Sequence, residues 1–165
     1  VISVFGYLGN HDLALTDFAE SQKIIEANFT GHISLLNIIA NDMEQRKQGA
    51  IIGVSSVAGD RGRQSNYIYG ASKAGFNAYL SGLRNRMAKF NVHVSTIVPG
   101  FINTKMIEGL PPTPKPLTAK PAQVASAIWR AYRKKKNIVY ILPIWQLIML
   151  IIKNIPEFIF KKMNL

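Results

Sequence analysis

Apolar positions along the chain follow two alternating patterns. Residues 1–5 (VISVF), 50–54 (AIIGV), 92–98 (VHVSTIV) and 138–142 (IVYIL) are short, mostly apolar runs, each read as a buried strand. Between the first two, Ile24, Ile25, Phe29, Ile33, Leu36 and Ile39 recur close to helical spacing and predict one long helix. Asp17 followed by Glu20 reads as a capping box at its start, and residues 45–49 close it. A second long helix is predicted over 67–90. It has a small-residue face of Ala71, Ala74, Gly75 and Ala78, and Arg84, Arg86 and Lys89 lie near its C-terminal end, where cations suit the helix dipole. A third is predicted over 121–132, with Val124, Ala127, Ile128 and Ala131 on one face. Residues 108–121 contain five prolines and little periodicity, so they read as a lid or linker. Strands alternating with helices place the chain in the α/β class with a parallel sheet.

Residues 143–165 differ from the rest. The apolar run over 138–152 is broken by Pro143 and Gln146 and falls short of the ~20 residues a membrane-spanning helix needs. Aromatics and flanking basic clusters suit an element lying on an anionic membrane surface; helices packed on the sheet or at a dimer interface are the alternative. The chain therefore divides into an α/β domain over 1–142 and an apolar, basic extension over 143–165. Twenty Lys and Arg against nine Asp and Glu give a net charge of +11, which favours an anionic partner: a nucleotide, a phospholipid surface, a phosphorylated substrate or nucleic acid. No basic stripe interleaved with aromatics is present, which argues against nucleic acid. The absence of cysteine excludes disulfides, thiolate catalysis and a cysteine zinc site. His11, His32 and His93 are scattered singly, so no metal site is assigned.

The chemistry concentrates in residues 55–73, SSVAGDRGRQSNYIYGASK. Tyr69 and Lys73 are four residues apart and project from one helix face. Ser56 stands thirteen positions before Tyr69, at the mouth of the preceding strand. A hydroxyl, a phenol and an ammonium can thus converge where a strand's carboxyl end meets a helix, the usual ligand position in open α/β sheets. Arg61 and Arg63 follow Ser56 in the loop, and suit either a phosphate or a solvated turn. A nearby ammonium favours phenolate, so Lys73 is expected to lower the pKa of Tyr69 and let it exchange protons both ways.

This segment resembles the active-site stretch of the short-chain dehydrogenases/reductases, whose pattern is a Ser followed about a dozen residues later by Tyr-x-x-x-Lys. The resemblance extends to Asn28-Phe29-Thr30-Gly31, the family's Asn-x-x-Gly, and to Pro99-Gly100-Phe101-Ile102-Asn103-Thr104, its Pro-Gly-x-x-x-Thr. It implies a Rossmann-like doubly wound sheet and an NAD(P)H-dependent ketone reductase. Ser56, Tyr69, Lys73 and Asn28 would be catalytic, Asn28 by holding a water that connects Lys73 to solvent. Tyr69, Lys73, Pro99, Gly100, Ile102 and Thr104 would meet the cofactor. The residues after the first strand, Gly6-Tyr7-Leu8-Gly9, depart from the family's Asn-Asn-Ala-Gly, so no binding role is carried over to Gly6 or Gly9.

The resemblance further implies a homo-oligomer and a nucleotide-binding half ahead of Val1, since no Gly-rich turn follows a strand in this chain. An apolar sheet edge would then lie open at residues 1–5. The loop around Arg61 and the basic, apolar tail look in particular like the reductases of decaprenylphosphoryl-2-keto-ribose, which act on a 2-keto sugar carried by a polyprenyl phosphate. A cytoplasmic protein, peripheral on the inner face of the membrane, is the corresponding expectation. The competing reading is a catalytically inactive Rossmann-like fragment serving as a membrane-surface or oligomerisation module.

Overall fold

The computed structural model describes residues 1–108 and 111–164. Four parallel strands form the main sheet in the order β1 (Ile2–Ser3), β2 (Gly49–Val54), β3 (Val92–Pro99) and β6 (Ile138–Ile141). A small parallel pair, β4 (Phe101–Ile102) and β5 (Thr118–Ala119), stands beside it. β3 is central and buried along nearly its whole length, because both of its faces are covered.

Helices cover both faces. α3 (Gly31–Arg46) and α4 (Tyr67–Ala88) bury Leu36, Ala40, Phe76, Leu80 and Met87 against Ile51 and Val94. α5 (Pro121–Arg133) buries Val124, Ala127, Ile128 and Ala131 against Ile52, Val54 and Ile97. The neighbours Ile51 and Ile52 thus feed opposite cores, as the two-residue period of a strand requires. The result is a three-layer, Rossmann-like α/β arrangement.

Three local features differ from the sequence reading. First, α1 (His11–Thr16), capped by Asn10, precedes the long helix; its six residues are too few to show a period. Second, the expected capping box does not form. Asp17 caps α2 (Phe18–Ile25), but Glu20 is buried and turns away to accept hydrogen bonds from the Tyr7 hydroxyl (2.7 Å) and the Asn10 amide (2.9 Å). Third, the helix is not uniform: a π-helical turn over Glu26–Thr30 joins α2 to α3. Such turns occur frequently at functional sites, and this one carries Asn28.

Arg84 also does more than meet a helix dipole. It donates to the carbonyls of Val94 (2.8 Å) and Asn137 (3.0 Å) and to the Thr96 hydroxyl (2.6 Å), tying α4 to β3 and to the approach to β6.

The C-terminal segment folds onto the same framework. α6 (Ile144–Asn154) buries Trp145 and Met149 against Val57 and Val98, and α7 (Glu157–Phe160) follows. Arg61 fastens this segment. Its guanidinium donates to the carbonyls of Ile152 and Ile155 (both 2.6 Å), pairs with Glu157 (2.9 Å) and lies 3.7 Å from the centre of the Phe160 ring. Arg61 is therefore a structural clamp and not a phosphate ligand.

Candidate active site

A cavity of about 260 Å³ opens at the carboxyl ends of β2 and β3. The strand ends bring Ser56, Pro99 and Gly100 to its wall, α4 adds Tyr69 and Lys73, and β4 with the turn after it adds Ile102 and Thr104. Of the residues that the resemblance assigns to catalysis or the cofactor, Asn28 alone is absent from the lining. It sits fully buried behind the wall, where its side chain donates to the carbonyls of Tyr7 (2.5 Å) and Ile24 (2.8 Å) and accepts from the Tyr7 amide (3.2 Å).

Gly6 explains how these groups come so close. A Cβ there would lie 2.9 Å from Asn28 Oδ1 and 3.4 Å from Lys73 Nζ, so any other residue would push into the space beside the ammonium. Gly6 is thus a site residue although its motif departs from the family pattern. The segment leading to it is held by His32, whose ring stacks on Phe5 at 3.8 Å and on Phe76 at 4.1 Å. His32 Nδ1 meets the Ser3 hydroxyl at 2.7 Å and Nε2 meets the Phe5 carbonyl at 3.0 Å. Burial, with the Lys73 charge nearby, lowers the His32 pKa to about 4, so the ring is neutral and can donate to Phe5 while accepting from Ser3.

The electrostatics differ from expectation in one respect. Tyr69 is held above the ordinary phenol value, because burial outweighs everything else. Two influences oppose that rise: a hydrogen bond from Ser56 and the positive charge of Arg63. Ser56 Oγ accepts the Ala58 amide (3.1 Å), which leaves its own proton free to point at the phenol. The cation that acts on Tyr69 is Arg63, while Lys73 Nζ lies 5.8 Å from the centre of the Tyr69 ring. Burial also brings Lys73 from 10.5 down to about 8, so near neutral pH it can give up a proton far more readily than a surface lysine.

Beyond the motif residues, the lining includes Arg63, Asn66, Gly6 and Trp145. Arg63 carried a signal in the sequence, as one of two arginines after Ser56; Gly6 stood in a turn to which no role was carried over, and Asn66 and Trp145 had no site signal. Topology separates them: Arg61 goes to the tail and Arg63 to the cavity.

A parallel α/β sheet with Ser, Tyr and Lys gathered at its strand ends defines a Rossmann-like domain. The chain belongs to the short chain dehydrogenase family, whose profile matches residues 2–115. It is 34% identical to an uncharacterized oxidoreductase of Mycobacterium tuberculosis over 98% of its own length and 64% of that protein's. It is also 34% identical to carbonyl reductase family member 4 of Xenopus tropicalis, over 59% of this chain and 42% of that one. The chain thus spans under two thirds of the length of these relatives. Among solved structures, a short chain dehydrogenase from Burkholderia cenocepacia in complex with NADP superposes with a TM-score of 0.78 at 23% identity, covering 91% of this chain and 64% of that one. One from Sphingobium yanoikuyae in complex with NADPH gives 0.76 at 18% identity, covering 94% and 66%. At these identities the structural likeness establishes the fold.

Proposed function

We propose that the protein is an NAD(P)H-dependent oxidoreductase that reduces a ketone to a secondary alcohol. The observation that carries this reading is the convergence of Ser56, Tyr69 and Lys73 in one cavity at the strand ends, with Lys73 buried there. A dinucleotide fits the arrangement: Gly6 leaves open the space beside Lys73 that a side chain would fill. Lys73, Tyr69, Pro99, Gly100, Ile102 and Thr104 would hold its nicotinamide end, and the bound cofactor would supply a hydride to the carbonyl carbon.

The chain's own groups handle the oxygen. Ser56 donates a hydrogen bond to the carbonyl oxygen and orients it. Tyr69, whose raised pKa keeps it protonated at neutral pH, gives its proton to the oxygen as negative charge develops there. Lys73 lies one helical turn on and is poised near pH 8 to return a proton toward the phenolate. Asn28 fixes the backbone at Tyr7 and so keeps the Gly6 approach in place.

Replacing Tyr69 with Phe removes the transferable proton and little else. In the full-length protein, NADPH oxidation with a panel of ketones is expected to fall by about a hundredfold or more, with NADPH affinity largely retained. Turnover near wild type in Tyr69→Phe would sink the assignment.

The finer reading is a 2-keto sugar carried on a polyprenyl phosphate, met at a cytoplasmic bilayer surface by a homo-oligomer. Its support is the exterior of the C-terminal segment. Leu147, Leu150 and Ile151 of α6 and Phe158 of α7 are exposed, and Lys153, Lys161 and Lys162 lie among them. No helix among the described residues is long and apolar enough to cross a membrane. An apolar strip edged with lysines suits an anionic lipid surface.

A further inference from the structure

Arg63 is a half-buried cation that makes no ion pair among the described residues. It lies on the loop that leads into α4 and lines the same cavity as Ser56 and Tyr69. Its Nε is buried and, among the described residues, has no hydrogen-bond acceptor. Asn66, three residues on and lining the same cavity, has a buried Oδ1 that likewise lacks a donor. A guanidinium does not shed its proton in a protein, so the cavity wall carries a fixed positive charge with one buried N–H that no group of the chain satisfies among the described residues, and an anion entering the cavity would serve both. Arg61 makes the contrast plain, since its guanidinium is engaged by three carbonyls, a carboxylate and a ring.

Two orphaned groups on one cavity define the ligand. Arg63 Nε lacks an acceptor, which an anionic oxygen would supply best, and Asn66 Oδ1 lacks a donor such as a hydroxyl. Much of the remaining wall is apolar, with Leu8, Phe101, Met106, Ile107 and Trp145. We infer that Arg63 is the specificity-determining residue of this cavity, binding the phosphate or carboxylate of a hydroxylated substrate that also carries an apolar body. Pairing there would seat the substrate beside Tyr69. The inference rests on the reductase reading for what happens next, but the recognition itself can be measured without turnover.

The test is binding to the full-length protein, read by the fluorescence of Trp145, which lines the cavity. The probes are octyl phosphate and octanol, which share an apolar chain and differ in the anion. The wild type is expected to favour the phosphate by about tenfold or more, the scale of a hydrogen bond to a charged group. Arg63→Gln is expected to lose that preference and bind octanol as before. Equal affinity for the two probes in the wild type, or an undiminished preference in Arg63→Gln, would overturn the inference. If Arg63→Gln binds neither probe, Arg63→Lys decides: it keeps the charge, so a retained preference supports the site and a lost one refutes it. Ketone reduction is scored separately. Phosphate preference without NADPH oxidation would leave the anion site standing and remove the reductase reading, and the reverse pattern would do the opposite.

Discussion

Lys73 pays for its position in stability. The residue is 3% exposed, and burial lowers its pKa from 10.5 to about 8. The charged form is thus the disfavoured one in the folded state. Below pH 8 the lysine is charged both folded and unfolded, and the fold carries the full penalty. Between about 8 and 10.5 the folded protein releases a proton that the unfolded chain keeps, so stability from this group rises with pH across that window. A depression of this size corresponds to about 3 kcal/mol. Lys73→Met is therefore expected to abolish reduction yet raise unfolding free energy at pH 7 by up to about 3 kcal/mol. Urea denaturation of both proteins at pH 7 and pH 10 checks this, and the advantage of the variant should shrink at the higher pH.

At the scale of elements, the loop from Ser56 to α4 serves two masters. Its Arg61 end grips the carbonyls where α6 ends, and its Arg63 end lines the cavity. Loss of the Arg61 clamp should therefore loosen the tail without touching the sheet. Arg61→Ala is expected to cost about 2 kcal/mol, the worth of a strong charge-assisted contact, and to speed amide exchange over residues 155–164 while β2 and β3 keep their protection. Unchanged exchange in the tail would mean that burial of Trp145 and Met149 alone holds it. Gly100 belongs to the same unit, because a Cβ there would strike the Trp145 indole. The Pro-Gly that ends β3 is thus required by the tail as well as by the site.

At the scale of the whole molecule, the basic charge and the exposed apolar strip act together. The chain is expected to sediment with vesicles containing phosphatidylglycerol and to be released by salt, since exposed charges are screened over about 10 Å at 0.1 M. Leu147→Glu with Leu150→Glu should abolish binding, because both side chains are exposed and neither supports the core. Binding that survives the double substitution would place the lipid contact elsewhere.

The sequence by itself determined the class of fold and where along it the Ser, Tyr and Lys of the motif stand. Short apolar runs and helical spacing are local properties, and they located β2, β3, β6, α4 and α5 closely. Ser56, Tyr69 and Lys73 were legible because a strand end, a loop and one helical turn place them together with little help from the rest of the chain. What depended on distant packing was not legible. Glu20 abandons a local cap for Tyr7 and Asn10, because a buried carboxylate takes the best donors that the fold presents. β4 and β5 are two residues each and exist only as partners of one another. Two arginines separated by a single glycine became a clamp and a cavity wall, and nothing near them in sequence could assign which was which. The pKa of Tyr69 was likewise decided by the tertiary structure, since the burial that raises it comes from the packed fold as a whole.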